Sequence, residues 1–392
     1  VKAGVLHVPP QVPSLVPGVG PAGSPDVNFH FDLPVNLFMI KDRLIWTVVR
    51  VQVGLPTYRN NGTTISLVLD ALTKQTYDDF EVLIVYKPSE DDVRTLDVIE
   101  KFSKTLDIKV IYQEHGKIEE AMNLIYSNAT AEILLTLDDD NIPKERWLED
   151  HIKFHEKYPK AGAFRGKVKH KIEVRPSFSQ KLKGLIKGII YRPYSSEFKG
   201  YAGYLTVFGV PTDRKVKREG ELVKTITLTA ENMSVKREVY RDFRLPCHSL
   251  RGFHHEDLLA LHSIKKGYFT AEILNAAENV EVERKMYSAP AESLSTPTTF
   301  RGKLELVVEH FLFPYAANKL GYRPRNLNLL RSLLKLSYRE PLRDAALAGL
   351  DLAIEGIKNE LPPNEIRSRL ESAVEEIVSR WGHTKDATII SS

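Results

Sequence analysis

Ile133-Leu134-Leu135-Thr136-Leu137-Asp138-Asp139-Asp140-Asn141 decides how this chain is read, because an apolar run of strand length ends abruptly in three carboxylates. A short run of that kind fits a strand buried on both faces. The same signal repeats upstream. Trp46 to Val53 is β-branched and apolar and stops at a turn, Gly54-Leu55-Pro56-Thr57, while Phe80 to Tyr86 and Ile108 to Tyr112 read as two more strands. Between them Ile65, Leu69 and Leu72, then Val93, Leu96 and Ile99, then the stretch Ile118 to Ile125, mark three helices. Four strands alternating with three helices predict an α/β domain, a mostly parallel sheet with flanking helices whose ligands bind beyond the carboxyl ends of the strands. Those ends carry Thr57, Tyr58 and Arg59, then Tyr86 and Lys87, then Asp138, Asp139 and Asp140.

Further along, strands are expected near Ala163 to Lys169 and at Thr225 to Leu228, the second leading into Ala230-Glu231-Asn232, and a helix begins near Glu256. From about Arg301 the pattern is helical. Leu347, Leu350, Ile354 and Ile357 keep one face, and after Pro362-Pro363-Asn364 so do Ile366, Leu370, Val374 and Ile377. At the other end, Gly4 to Pro25 holds six prolines, which no helix tolerates, and it lacks the basic start of a signal peptide. The expected organisation is a Pro-rich arm over 1–40, a domain over 41–300 with halves at 41–145 and 146–300, and a helical region over 301–392.

With 392 residues, 42% hydrophobic and 27% charged, the chain can bury a large core, which excludes disorder, collagen and coiled coil. Its single cysteine, Cys247, can form neither an internal disulfide nor a thiolate metal cage, so a cytoplasmic location is expected. A net charge of +4 is too small to suggest a nucleic-acid protein. Charge does gather from Arg165 to Arg192, where nine Lys and Arg face one acid, Glu173. Phe178, Leu182, Leu185, Ile186, Ile189 and Ile190 form an apolar stripe there beside Lys181, Lys183 and Lys187. Such a helix over 177–192 suits either an anionic membrane surface or the chain's own domain.

Two acidic clusters can carry chemistry. If extended geometry persists past Leu137, Asp138 and Asp140 point one way and Asp139 the other. Two carboxylates on one side suit Mg²⁺ or Mn²⁺, hard cations that share themselves with substrate phosphates; the alternative is an acidic start to the helix after Pro143. In the second cluster, His254-His255-Glu256-Asp257, one of the two adjacent carboxylates can address a substrate as general base while the other supports it. Amide dipoles in the first turn should hold it ionised; the alternative is an acidic pair that only stabilises the helix. His254 and His255 read as solvated or core histidines rather than ligands.

Over roughly residues 47–285 the ordered motifs resemble family 2 inverting glycosyltransferases of the GT-A fold. Val53-Gly54-Leu55-Pro56-Thr57-Tyr58-Arg59 resembles the first-strand motif, and Leu69 to Phe80 with Gln75-Thr76-Tyr77 the segment before strand two. Gly116 and Asn123 precede the metal strand as in the family, Leu137 to Trp147 is similar to its Asp-x-Asp motif, Glu231-Asn232-Met233 through Arg237 to its acceptor-side strand, and Glu256-Asp257 with Gly267-Tyr268 to its Glu-Asp helix.

The resemblance implies a metal-dependent enzyme that moves a sugar from a nucleotide-sugar donor to an acceptor hydroxyl, possessing Asp257 as base with Glu256 beside it. It implies Asp138 and Asp140 as ligands of Mn²⁺ or Mg²⁺. Donor binding would fall to Pro56, Thr57, Tyr58, Arg59, Lys87, Gly116, Lys117, Asp138 and Asp139, and acceptor binding to Glu231, Asn232 and His255. Two departures stand out. Tyr86-Lys87-Pro88-Ser89 occupies the place where the family often has acids that read the base. The Gln-x-x-Arg-Trp motif of processive members is absent, Glu283 to Tyr287 being at most a remnant, so transfer of a single sugar is expected. The acceptor expected is a glycan or polyprenyl-linked chain at the cytoplasmic membrane face, with no nucleic-acid partner. A phosphohydrolase would carry its Asp-x-Asp on the first strand, and a non-catalytic sugar or membrane adaptor would have lost these carboxylates.

Overall fold

In the structure, a computed structural model, residues 51–169, 189–214, 216–282, 297 and 299–382 are described. The Pro-rich arm, residues 170–188 of the basic stretch and Glu283 to Tyr287 lie outside them.

An eight-stranded mixed sheet forms the centre. Its first half is the expected alternation: β1 (Val51–Tyr58), α1 (Thr64–Leu72), β2 (Phe80–Lys87), α2 (Thr95–Phe102), β3 (Asp107–Tyr112), α3 (Ile118–Asn128) and β4 (Ile133–Thr136). Strands β1, β2, β3 and β4 pair in parallel. After them come β5 (Asn141–Pro143), α4 (Trp147–Lys157), β6 (Ala161–Arg165), β7 (Lys167–Lys169), β8 (Gly203–Leu205), β9 (Pro211–Asp213), β10 (Leu222–Lys224), β11 (Met233–Lys236), the short α5 (Arg237–Tyr240), α6 (His255–Lys265), β12 (Phe269–Ile273) and β13 (Glu278–Glu281). The sheet runs β10-β12-β6-β11-β4-β1-β2-β3, and a small sheet β5-β13-β7 stands beside it.

The first strand runs past its expected end, Gly54, Leu55, Pro56 and Thr57 continuing β1 instead of turning, while Trp46 to Arg50 of the expected strand lie outside the described residues. Proline survives there because the backbone at Gly54 faces β4, its carbonyl accepting from the Leu137 N–H at 3.1 Å. Pro56, two residues on, faces the same way, past the last β1–β4 pair, where no N–H is needed. Gly54 is required for packing, since a Cβ would meet Ile125 of α3 at 2.5 Å. The strand expected over Thr225 to Leu228 is irregular chain; the ladder is made by β10 before it and β11 after it. The face expected for α2 is only partly buried, with Ile99 inside while Val93 and Leu96 are 73% and 39% exposed.

The C-terminal part is helical: α7 (Phe300–Lys319), α8 (Leu327–Ser337), α9 (Leu342–Lys358) and α10 (Pro363–Trp381). Ile366, Leu370, Val374 and Ile377 are buried as a stripe, as their spacing predicts. On α9 the buried face is Ala345, Ala346, Gly349, Leu350, Ala353 and Gly356, while Leu347, Ile354 and Ile357 are half-buried. Small residues win that face because a Cβ on Gly349 would meet the Val308 carbonyl of α7 at 2.1 Å, so the two backbones nearly touch. Among the described residues no helix is long and apolar enough to cross a membrane.

Candidate active site

Sheet register brings the two acidic clusters to one edge. Thr136 at the end of β4 pairs with Met233 of β11, and Met233 pairs with Arg165 of β6. Two strand spacings, about 10 Å, therefore separate the chain entering Asp138-Asp139-Asp140 from Arg165. The stretch just before Met233 reaches α6, because the Ala230 N–H donates to Glu256 Oε1 at 2.8 Å.

The three aspartates do not continue the strand. The chain turns after Leu137, with the Asn141 N–H donating to the Asp138 carbonyl at 3.2 Å, so strict alternation of the side chains is lost. Asp139 is buried and accepts from Thr57 Oγ1 at 2.7 Å, a bond that ties β4 to β1. Asp139 and Thr57, both expected at the donor, are buried and joined to each other. Asp138 is half-buried and Asp140 buried. Beside Asp140, whose Oδ1 accepts from Asn141 Nδ2 at 3.0 Å, Asn141 Oδ1 is buried without a hydrogen-bond partner among the described residues. Two carboxylates and an orphaned carbonyl oxygen are an all-oxygen donor set, the chemistry that a hard divalent cation takes. Among the described residues no group of three or more His, Cys, Asp and Glu is placed to hold a metal.

At the ends of β1 and β2, Tyr58 is 45% exposed and carries two cations over its ring, Arg59 at 5.3 Å and Lys87 at 5.0 Å. Pro56 is half-buried beneath them. Lys87 Nζ also donates to the Gly116 carbonyl at 2.5 Å. Gly116 has φ 91°, a left-handed conformation suited to glycine, and Lys117, exposed, opens α3 with its N–H on Glu120 at 2.7 Å. These residues line the carboxyl edge on the β2–β3 side.

Asn232, expected on the acceptor side, is a junction between segments. It is fully buried, and all four of its hydrogen-bonding sites are used. Oδ1 accepts from Trp147 Nε1 at 2.8 Å and His151 Nε2 at 2.9 Å, and Nδ2 donates to the carbonyls of Lys167 at 3.2 Å and Ala277 at 2.8 Å. It clamps α4, β7 and the residue before β13 together. His255 is buried, with Nδ1 donating to the Gly252 carbonyl at 2.6 Å, while its Nε2 has no hydrogen-bond partner among the described residues. Glu231 is half-buried, and its backbone carbonyl accepts from Asn279.

Around α6 the structure assembles residues that spacing did not single out. Asp257 is buried, and its Oδ2 pairs with His254 Nδ1 at 2.8 Å; His254 Nε2 meets His310 Nδ1 of α7 at 3.0 Å. Burial, then the charges of Glu256 and Asp213, push Asp257 well above the usual carboxylate range, while Arg165 and the Leu228 N–H pull the other way. The expectation that amide dipoles hold it ionised is thus corrected, because desolvation outweighs them. Burial also lowers His254 to about 4, so it is neutral at pH 7. Asp213 and His310 lie 44 and 53 positions from Asp257 in the sequence, and no local pattern links them. Arg165 was visible only as one charge in a basic stretch.

The loop that delivers α6 is held from the C-terminal region. Glu309 Oε1 accepts from the N–H groups of Leu250 and Arg251, both at 2.7 Å, and its Oε2 from that of Phe253 at 2.9 Å. Burial raises Glu309 from 4.5 to about 7 against these donors. A raised acid costs stability as it ionises, so this group's contribution falls as pH rises from about 4.5 to about 7, by about 3 kcal/mol in all. Glu309→Gln cannot ionise, so urea unfolding of that variant should lack this fall between about pH 4.5 and about pH 7. An identical pH slope in both proteins would refute the assignment.

Residues 52–220 match the family model described as glycosyl transferase family 2. The poly(ribitol-phosphate) beta-N-acetylglucosaminyltransferase TarP of Staphylococcus aureus (strain N315) is 35% identical over 105 residues, which are 26% of this chain. The match spans 31% of that relative's length. Among solved structures, S. aureus TarS 1-349 in complex with UDP-GlcNAc is similar at 16% identity and TM-score 0.45, covering 86% of this chain and 93% of its own. The mannosyltransferase PcManGT from Pyrobaculum calidifontis, in complex with GDP-Man and Mn²⁺, is similar at 18% identity and TM-score 0.44, covering 87% and 91%.

Proposed function

We propose that the chain is a metal-assisted inverting glycosyltransferase that moves one sugar from a nucleotide-diphosphate sugar to an acceptor hydroxyl. The observation that supports this most is that β11 pairs with β4 beside the chain entering Asp138 to Asp140, while Ala230, three residues before β11, donates to Glu256, so both acidic clusters adjoin the same short stretch of chain. Asp138 and Asp140 would hold Mn²⁺ or Mg²⁺ with the donor diphosphate; when bound, the cation neutralises the charge that grows on the leaving group.

The chain's own residues do the rest. Tyr58 offers an exposed ring on which a base can stack, with the cations of Arg59 and Lys87 beside it for phosphate oxygens. Asp257, ionised, takes the proton of the acceptor hydroxyl as that oxygen attacks the anomeric carbon opposite the departing diphosphate, so the configuration inverts. His254 fixes the direction of that carboxylate, and Glu256, anchored on the Ala230 N–H, holds the start of α6 against the strand edge. The acceptor we propose is a glycan or polyprenyl-linked chain at the cytoplasmic face of a membrane, a reading supported by the basic stretch.

A panel of nucleotide sugars with Mn²⁺ and Mg²⁺ tests the reading. UDP-GlcNAc comes first because of the relative that transfers N-acetylglucosamine. One donor should be hydrolysed slowly alone and faster with acceptor, and Asp140→Ala should lose at least about 100-fold of that rate, the scale of removing one group that stabilises transition-state charge. Turnover of no nucleotide sugar would leave the adaptor reading standing, and release of phosphate from simple monoesters would favour the hydrolase.

A further inference from the structure

We infer that α8, with the turn after it, is a docking surface for anionic lipid. The helix has more apolar surface than its neighbour covers. At about 100° per residue, Leu330 and Leu334 share one direction, and Leu329, Leu333 and Leu336 share another about 100° away. The first pair is buried in the helical core with α9. The second set is left outward: Leu329 is 44% exposed, Leu333 half-buried and Leu336 82% exposed. An 82% exposed leucine in the last turn of a well-formed helix has no partner within the described residues.

Charge identifies the occupant. Residues 319–343 hold seven Lys and Arg (Lys319, Arg323, Arg325, Arg331, Lys335, Arg339, Arg343) and one acid, Glu340, in a chain whose overall balance is 55 to 51. Arg331 is paired with Asp351 and Arg343 with Glu340, whereas Lys335 and Arg339 carry no ion pair among the described residues. Lys335 and Leu336 are neighbours on the exposed side. Protein interfaces are depleted in lysine at their cores, whereas leucine flanked by free Lys and Arg is the composition of a helix lying in a lipid interface. Exposed apolar side chains enter the acyl boundary, and the cations meet lipid phosphates. The end of the basic stretch reaches the same region. The Val207 N–H bonds the Arg192 carbonyl and the Arg325 N–H bonds the Val207 carbonyl, while Arg325 lies 5.6 Å above the Tyr194 ring.

The full chain should be sedimented with phosphatidylcholine vesicles containing about one-third phosphatidylglycerol, and with pure phosphatidylcholine vesicles, in low and high salt. Binding to the anionic vesicles should exceed binding to the neutral ones and weaken with salt. Leu329→Ser with Leu336→Ser, and separately Lys335→Gln with Arg339→Gln, should each weaken it at least about tenfold, with unfolding midpoints unchanged, since none of these side chains is buried. Failure of the wild-type chain to prefer anionic vesicles would overturn the inference, as would unchanged binding in both double variants. Self-association abolished by the leucine pair without any vesicle binding would assign the face to a second protein instead and also overturn it. None of these readouts depends on sugar transfer.

Discussion

Asp257→Asn should lower the rate of sugar transfer by about 10²–10⁴-fold, the usual worth of a positioned general base. The carboxamide preserves the size of the side chain and a bond to His254, but it cannot accept the proton of the acceptor hydroxyl. A second signature comes from its surroundings. Because burial, Glu256 and Asp213 raise Asp257 well above the ordinary range, ionising it costs the folded state stability, and that cost grows as pH rises from the unfolded value through the folded one. The wild-type rate should accordingly climb with pH on an acid limb displaced above the usual carboxylate range. Asp257→Asn should be less active yet more stable at neutral pH. Initial rates against pH and melting temperatures at two pH values check both. A variant that keeps transfer within a few-fold of wild type would remove Asp257 from the role of base.

The largest expected loss of stability is at Asn232→Ala. Removing the carboxamide strands the indole N–H of Trp147, the imidazole of His151 and the carbonyls of Lys167 and Ala277, all donors or acceptors that burial keeps from water. Each orphan costs about 1–3 kcal/mol, so a total above about 3 kcal/mol is expected. Urea unfolding measures it, and a change below about 1 kcal/mol would show that the clamp is dispensable. Asn232→Asp is a sharper control, because a carboxylate has no N–H to give the two carbonyls.

Much of the architecture was legible without coordinates where local rules and burial agree. Val51 to Tyr58, Phe80 to Lys87 and Ile133 to Thr136 are apolar because strands in the middle of a parallel sheet are covered on both faces. Reading failed where a neighbour overrides a local signal. Pro56 looks like a turn until one sees that β4 has already ended beside it. The α9 face is set by contact between backbones, which selects alanine and glycine, residues that a search for large apolar side chains passes over. In the Thr225 to Leu228 run Ile226 and Leu228 are buried in the core, but the Thr225 N–H donates to the Thr270 carbonyl of β12 and the Ile226 N–H to the Gly203 carbonyl of β8, so the alternation does not become a strand.

The site divides in the same way. Chain order alone determined that carboxylates stand at a strand end and at a helix start, because backbone periodicity and the chemistry of acidic side chains are properties of short stretches. Only the tertiary structure decided what each does: Asn232 became a saturated clamp, Asp139 a tie to Thr57, and Asp257 a desolvated acid held by His254 and His310. Hydrogen-bond saturation and desolvation depend on which distant segments close over a residue. The antiparallel insertion of β11 between β4 and β6 makes that closure, and it lies nearly a hundred positions from the aspartates it serves.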